Sequence, residues 1–207
     1  MVLKLGLTTG LVEATTVKAD ALKVTGGDYL AEWNLIDSGS ETTSLANVEI
    51  DLSGAAYSTW DDVKIVISQI TVVTDNVNVG MYVSNDGASS YFSSYRNVIG
   101  RSTDATSNWT YAYSATRTQM EMIQGMGNAA WEYGQLEAVI YQLNAGLSDT
   151  QVSGTAHWWA DDTAPNQAFS SSTVGTASTS ITHFKIQATS GNIDNAQWST
   201  YGRKFGT

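Results

Sequence analysis

Apolar and polar residues alternate one for one along most of this chain, and that two-residue period argues for sheets over helices. Successive side chains of a strand point to opposite faces, so such alternation marks a segment with one face buried and the other wet. Val48, Ile50 and Leu52 alternate with Glu49 and Asp51, and Val63, Ile65 and Ile67 with Lys64 and Ser68. Val77, Val79, Met81 and Val83 alternate with Asn78 and Asn85, and Phe184, Ile186 and Ala188 with His183, Lys185 and Gln187. Further strands are predicted over 109–113, 117–123, 135–143 and 155–160. Ser84-Asn-Asp-Gly87 and Ser190-Gly191-Asn192 carry turn chemistry, because Gly and Asn tolerate positive φ at little cost. At least eight β segments between loops of Gly, Ser, Asn and Asp predict an all-β fold, an antiparallel β-sandwich of jelly-roll-like form.

Helical signals are thin. The best candidate, 128–144, contains Gly134 and the β-branched pair Val139-Ile140, and the alternation of Leu136, Ala138 and Ile140 with Glu137 and Gln142 fits a strand as well. The single proline, Pro165, falls in a polar stretch, 160–179, which is expected to be the longest irregular loop. Loops of that length are usually functional or mobile. Gly125-Met-Gly-Asn128 has too few glycines for a phosphate loop and is predicted to be a hairpin turn.

The first thirty residues differ from the rest of the chain. Leu3, Leu5 and Leu7 alternate with Lys4 and Gly6, and residues 14–27 repeat a short Thr/Val/Lys rhythm that ends in two glycines. Such a strip cannot form a core alone. Residues 1–30 are therefore expected to be an extended arm or short stalk preceding a sandwich domain over 31–207, with Leu3, Leu5, Leu7, Val17, Leu22 and Val24 as its assembly residues. Val17, Leu22 and Val24 fit equally well as a first strand of the sandwich.

Charge excludes several functions. Only 14% of residues are charged, against about a quarter in ordinary globular proteins, so neutral polar groups must carry solubility. The net charge is −10, and the ten Lys and Arg are scattered, which argues against nucleic acid as a partner. No run approaches the roughly 18 apolar residues of a membrane span, so membrane insertion is not expected. Thr8, Thr9 and Glu13 interrupt the opening stretch before a signal-peptide core is reached. With no cysteine, stability must come from packing.

Residues that could do chemistry are few. His157 and His183 stand on separate predicted strands without metal-ligand spacing, so no metal and no cofactor are expected, and His183 should be a solvated residue of the polar face. No nucleophile context surrounds any serine. Two carboxylates are the minimum for a glycosidase, and the chain has Asp61-Asp62 and Asp161-Asp162. Adjacent aspartates at strand ends are usually turn or capping residues, at most surface calcium ligands, and no enzyme is expected.

Aromatics offer more. Trp158 and Trp159 are adjacent in a predicted strand, so one faces the core and the other solvent, a loop or a neighbouring subunit. With Asp161, Asp162, Asn166 and Gln167 the outward ring would suit a sugar or receptor, the lectin-like alternative. Tyr91-Phe92-Ser-Ser-Tyr95-Arg96 and Trp109-Thr-Tyr111-Ala-Tyr113 raise the same question. Exposed aromatics in bulk normally mean an interface.

The end of the chain combines strand 183–188, Ser190-Gly191-Asn192 and a strand ending Tyr201-Gly202-Arg203-Lys204. This pair resembles the closing hairpin of β-sandwich virion proteins of tailed bacteriophages, fibres and head-surface decoration proteins among them. Residues 14–27 are similar to the β repeats of phage fibre stalks. The resemblance implies a non-enzymatic structural protein of the virion, a surface appendage or capsid decoration. It also implies a homotrimer in contact with other virion proteins, such as major capsid, portal or tail proteins, with a host-surface glycan as a further partner. Strand edges poor in charge and proline point the same way, since monomeric sandwiches guard their edges.

Overall fold

The structure, a computed structural model, describes residues 6–7, 10–11, 32–92, 95–102, 109–143, 149–159, 165–175 and 180–204. The chain divides into two compact units, Glu32–Lys204 and Met1–Ala31 with Phe205–Thr207. In the smaller unit β1 (Gly6–Leu7) pairs with β2 (Gly10–Leu11), Leu7 standing opposite Gly10. Of the expected assembly residues, Leu3, Leu5, Val17, Leu22 and Val24 lie outside the described residues.

The larger unit is all β, with no helix among the described residues. Its strands are β3 (Asn34–Glu41), β4 (Asn47–Asp51), β5 (Asp62–Val72), β6 (Val77–Ser84), β7 (Tyr95–Ser102) and β8 (Trp109–Arg117). They continue with β9 (Met120–Met126), β10 (Gly134–Tyr141), β11 (Asp149–Trp159), β12 (Pro165–Gly175), β13 (His183–Ala188) and β14 (Ile193–Arg203). Every pairing is antiparallel.

Two layers result. One is ordered β4-β13-β6-β9; the other begins β3-β14-β5-β10 and continues β11-β12-β7-β8. The first four strands of the second layer, facing the four of the first, have the order of a jelly roll, the chain crossing repeatedly between layers. Two inserted hairpins, β7–β8 and β11–β12, then zip onto the free flank of β10 and widen that sheet from four strands to eight. This wing is the fold's departure from a plain jelly roll.

Alternation builds the core. On the four-stranded layer Ile50, Phe184 and Val83 form one inward row, and Val48, Ile186 and Met81 the next. Ile65, Ile67, Leu136, Ala138 and Ile140 face them from the eight-stranded layer. Toward the wing the inward positions become small, with Gly154, Ala156, Ala168, Ser170 and Ser172. A Cβ at Gly154 would lie 2.9 Å from the Glu137 carbonyl oxygen and 3.1 and 3.2 Å from the terminal methyls of Met122 and Met81. Long, adaptable methionines on one layer fill the space left by small residues on the other.

Three sequence expectations change here. The 160–179 stretch is not one long loop, because it holds β12, an eleven-residue strand. Its inward residues are Asn166, Ala168, Ser170 and Ser172, so the strand shows no apolar alternation, and Pro165 is its first residue, where a missing N–H is tolerated. The closing pair is no hairpin, since β13 and β14 belong to opposite layers and Ser190-Gly191-Asn192 carries the chain across the sandwich. Gly191 has φ 68°, and a Cβ there would run into the Thr74 side chain. Nor is Gly125-Met-Gly-Asn128 a hairpin turn: it leads from β9 to β10, again on opposite layers.

The β6–β7 loop is held by one carboxylate. Asp86 accepts from the Ser84 hydroxyl at 2.7 Å, the Ser90 N–H at 2.9 Å and the Ser90 hydroxyl at 2.5 Å. These bonds, that of the Ser90 hydroxyl foremost, lower its pKa from 3.8 to about 2. The folded value lies below the unfolded one, so the loop's stabilisation is complete above pH 3.8 and is lost as pH falls through about 2. Protection of the Ser90 amide from hydrogen exchange, relative to its intrinsic rate at each pH, should fall across that window, and an Asp86→Asn variant should show the reduced protection at every pH.

Candidate functional site

The register separates the two adjacent tryptophans. Trp158 stands between Gly134 and Asn166 on the inner face, 2% exposed, and its indole N–H donates to the Gln124 carbonyl at 2.9 Å. Trp159, opposite Pro165, faces out, where its ring meets that of Trp131 edge to face at 5.6 Å and 78°. Trp131 belongs to the β9–β10 connection, and both it and nearby Tyr133 are exposed.

That connection is pinned. Glu132 is buried, and its carboxylate accepts the Ala129 N–H at 2.6 Å, while its own N–H donates to the Ala129 carbonyl at 2.8 Å. A side chain at Gly127 would run into the Glu132 carboxylate, so the glycine admits it. The Trp159 N–H donates to Tyr133 O at 3.2 Å, and the Gly127 N–H to Trp159 O at 3.3 Å. Trp131 and Tyr133 are thus presented beside the end of β11 on a fixed backbone.

Beneath them is a cleft of about 160 Å³ at the ends of β11 and β12. Tyr133, Gln135, His157, Trp159 and Pro165 line it together with Trp158 and Asn166. Asn166 is 4% exposed, and its side-chain oxygen has no hydrogen-bond partner among the described residues. Buried polar atoms are nearly always paired, so this one requires an explanation.

Of the expected sugar-site residues, then, Trp159 and Asn166 share the cleft, while Trp158 belongs chiefly to the core. Gln167 is exposed and in register with His157 but does not line the cleft, and Asp161 and Asp162 lie outside the described residues. Sequence reasoning missed Trp131, Tyr133, Gln135 and His157 as partners. Aromatic-x-aromatic after a glycine-rich turn was the available signal for the first two.

A second aromatic surface covers the outer face of the wing. Phe169, Gly100 and Tyr111 form one row across β12, β7 and β8, and Val98 and Tyr113 lie in the next. The Phe169 ring occupies the space a side chain at Gly100 would need and tilts against Tyr111 at 6.2 Å. Tyr111 and Tyr113 are each 69% exposed. Tyr91 and Tyr95 are occupied elsewhere. The Tyr95 ring is core, its hydroxyl accepting the Val83 N–H at 3.0 Å. Tyr91 donates to Glu49 and, with Tyr82, packs under the Lys185 ammonium at 3.9 and 4.6 Å, where burial pushes the lysine pKa down.

The remaining candidates have structural partners. Asp62 is buried and paired with Arg203 at 2.5 Å. His183 does lie on the polar face with Lys185, but it is not solvated: its side chain is largely covered, with Nε2 3.7 Å from the Asp51 carboxylate. Among the described residues no three His, Cys, Asp or Glu side chains gather as metal ligands.

No protein-family model matches the sequence, and no curated protein matches it. The class is nonetheless defined by architecture: a jelly-roll sandwich broadened on one flank by an inserted wing. That wing and the neighbouring β9–β10 connection carry exposed aromatics, Tyr111, Tyr113, Phe169, Trp131 and Tyr133.

Proposed function

We propose that this chain is a non-enzymatic, self-assembling structural protein of a tailed-phage virion, a surface appendage or capsid decoration. Its copies would meet through the β8 edge of the wing, and residues 1–30 would anchor it to capsid, portal or tail proteins. One observation carries the reading. β8 ends the eight-stranded sheet and, among the described residues, pairs only with β7. Its sequence, Trp-Thr-Tyr-Ala-Tyr-Ser-Ala-Thr-Arg, has no proline and no charge before Arg117. An unpaired flank of backbone groups beside exposed aromatics is a template for another strand, and sandwiches that stay monomeric guard such edges.

Charge selects a second copy as the occupant. The chain carries −10, yet β7, β8 and β12 contain no Asp or Glu and hold three of its four arginines, Arg96, Arg101 and Arg117. The opposite edge of the same sheet, β3, carries Asp37 and Glu41. Pairing β8 of one copy with β3 of the next is head-to-tail, and head-to-tail contacts form rings when the rotation between copies closes and open filaments when it does not. The trimer is favoured by the likeness to phage fibres and decoration proteins, and jelly rolls recur in viral capsid and lectin domains, an analogy of fold only.

Sedimentation velocity tests this. The purified chain should run as a trimer at micromolar concentration, and Tyr111→Lys with Tyr113→Lys should convert it to a folded monomer. A wild-type monomer, or a trimer indifferent to both substitutions, would remove β8 as the assembly edge.

A further inference from the structure

We infer that the Asp86-Gly87 bond is a self-modification site gated by the β6–β7 loop: once the loop opens, the Gly87 nitrogen attacks the Asp86 carboxyl and the aspartate becomes isoaspartate. The reaction needs no cofactor or partner and is independent of the assembly proposed above. Three observations converge on this bond.

The first is sequence. Of all the Asp and Asn residues in the chain, only Asp86 is followed by glycine. A glycine nitrogen has no side chain beside it to obstruct attack on the preceding carboxyl, and its backbone reaches conformations closed to other residues. In the reaction a bond forms between the Gly87 nitrogen and the side-chain carboxyl carbon of Asp86, and the proton of that nitrogen leaves with a carboxyl hydroxyl as water. Water then reopens the cyclic imide. Breaking the bond from nitrogen to the main-chain carbonyl carbon gives isoaspartate, and breaking the other restores aspartate.

The second is that the closed loop withholds both reactants. The Gly87 N–H donates to the Thr182 hydroxyl at 3.1 Å, and Thr182 is itself tied to the Ser84 carbonyl at the end of β6. The hydroxyls of Ser90 and Ser84 and the Ser90 N–H hold the carboxylate. They favour its ionised form, whereas the neutral acid is the form that loses water. At a pH above both values, a fall in pKa from 3.8 to about 2 cuts the neutral fraction about sixtyfold.

The third is backbone conformation. Gly87 and Ala88 have φ 72° and 64°, and a positive φ is uncommon for a residue with a side chain. Such a conformation persists only while its surroundings hold it, and here the bonds to Asp86 span the turn. Surface loops open locally at free energies below that of global unfolding. Isoaspartate routes the main chain through the former side chain, which adds a methylene and leaves the carboxylate on a shorter stem. The bonds to Ser84 and Ser90 then cannot all re-form, so a copy that has reacted stays marked.

Peptide mapping by mass spectrometry, with fragmentation that separates isoaspartate from aspartate, follows the reaction in mildly acidic buffer. Position 86 should isomerise at least about tenfold more slowly in the native protein than in the urea-unfolded chain. Ser84→Ala combined with Ser90→Ala should raise the native rate about tenfold and leave the unfolded rate unchanged. Ser90→Thr keeps the hydroxyl and should react at the wild-type rate, and Asp86→Glu should abolish the signal, because the longer side chain closes its ring far more slowly. Circular dichroism identifies the folded variants, and each serine replaced alone decides the matter if the double variant unfolds. Equal rates in native and unfolded wild type, a folded serine-to-alanine variant no faster than wild type, a Ser90→Thr variant as fast as Ser90→Ala, or a signal that survives Asp86→Glu would each overturn the inference.

Discussion

Replacing Phe184 with alanine is expected to lower the unfolding free energy by about 3–5 kcal/mol, at the upper end of single-residue effects. Phe184 is fully buried in β13, a central strand of the four-stranded layer, with Ile50 on one side and Val83 on the other. The eight-stranded layer closes over this row. Paired strands on both flanks prevent the site from collapsing, so the lost ring leaves a cavity as well as the lost transfer energy. For a domain of this size, a loss of about 3–5 kcal/mol corresponds to a fall of about 6–20 °C in Tm. Phe169→Ala is the matched control. That ring lies on the outer face over Gly100, and its removal should cost about 1 kcal/mol. Urea titrations of both variants measure the contrast, and comparable losses from the two would mean that the four-stranded layer is not packed as described.

How legible the fold was in the sequence depends on what each strand buries. β5, β6 and β13 alternate large apolar residues with polar ones, and their positions could be read directly. β12 could not, since its inward positions hold Asn166, Ala168, Ser170 and Ser172, small groups that make room for methionines across the sandwich. β3 was hidden for a related reason: Asn-Leu-Ile-Asp-Ser-Gly-Ser-Glu is an edge strand whose residues are mostly exposed, so nothing imposes apolar periodicity on it. Pattern also cannot say which layer a strand joins. The turn at Gly191 has hairpin chemistry, yet the chain uses it to cross between sheets.

The site was half legible, for a comparable reason. Adjacent strand residues must face opposite ways, which predicted one inward and one outward tryptophan without saying which. The register decides: Trp158 pairs inward with Asn166, and Trp159 outward with Pro165. Trp131 could not be placed beside Trp159 from sequence, because their proximity depends on a connection between two layers and on the carboxylate of Glu132 folding that connection back. Expecting binding residues among 161–167 was reasonable for a loop, but β12 begins at Pro165. Asn166 contributes from the inner face of a strand, a position usually reserved for apolar side chains.

Asp62→Ala should be the most damaging substitution of a charged residue, costing about 3 kcal/mol. Its carboxylate is 1% exposed at the start of β5 and joins three neighbouring strands. One oxygen pairs with the Arg203 guanidinium at 2.5 Å near the end of β14, and the other accepts the Gln142 N–H at 2.9 Å just beyond β10. Gln142 has φ 54°, a costly conformation for a non-glycine residue that this bond helps to hold. Arg203 in turn lies 4.7 Å over the Trp33 ring. Alanine at position 62 removes one partner of a guanidinium that is 25% exposed and takes away the carboxylate that accepts the Gln142 N–H. Partial exposure of Arg203 places the expected cost at the lower end of the ~3–5 kcal/mol seen when one member of a buried pair is deleted. Asp62→Asn should cost about half as much, because an amide oxygen can still accept from Gln142. A double-mutant cycle with Arg203→Ala, read out by urea unfolding, isolates the ion pair. A coupling energy of at least about 1 kcal/mol that hardly changes between low and high salt is the expected result, since buried pairs are screened far less than exposed ones. Additive losses, or a coupling abolished by salt, would reduce this carboxylate to a surface contact.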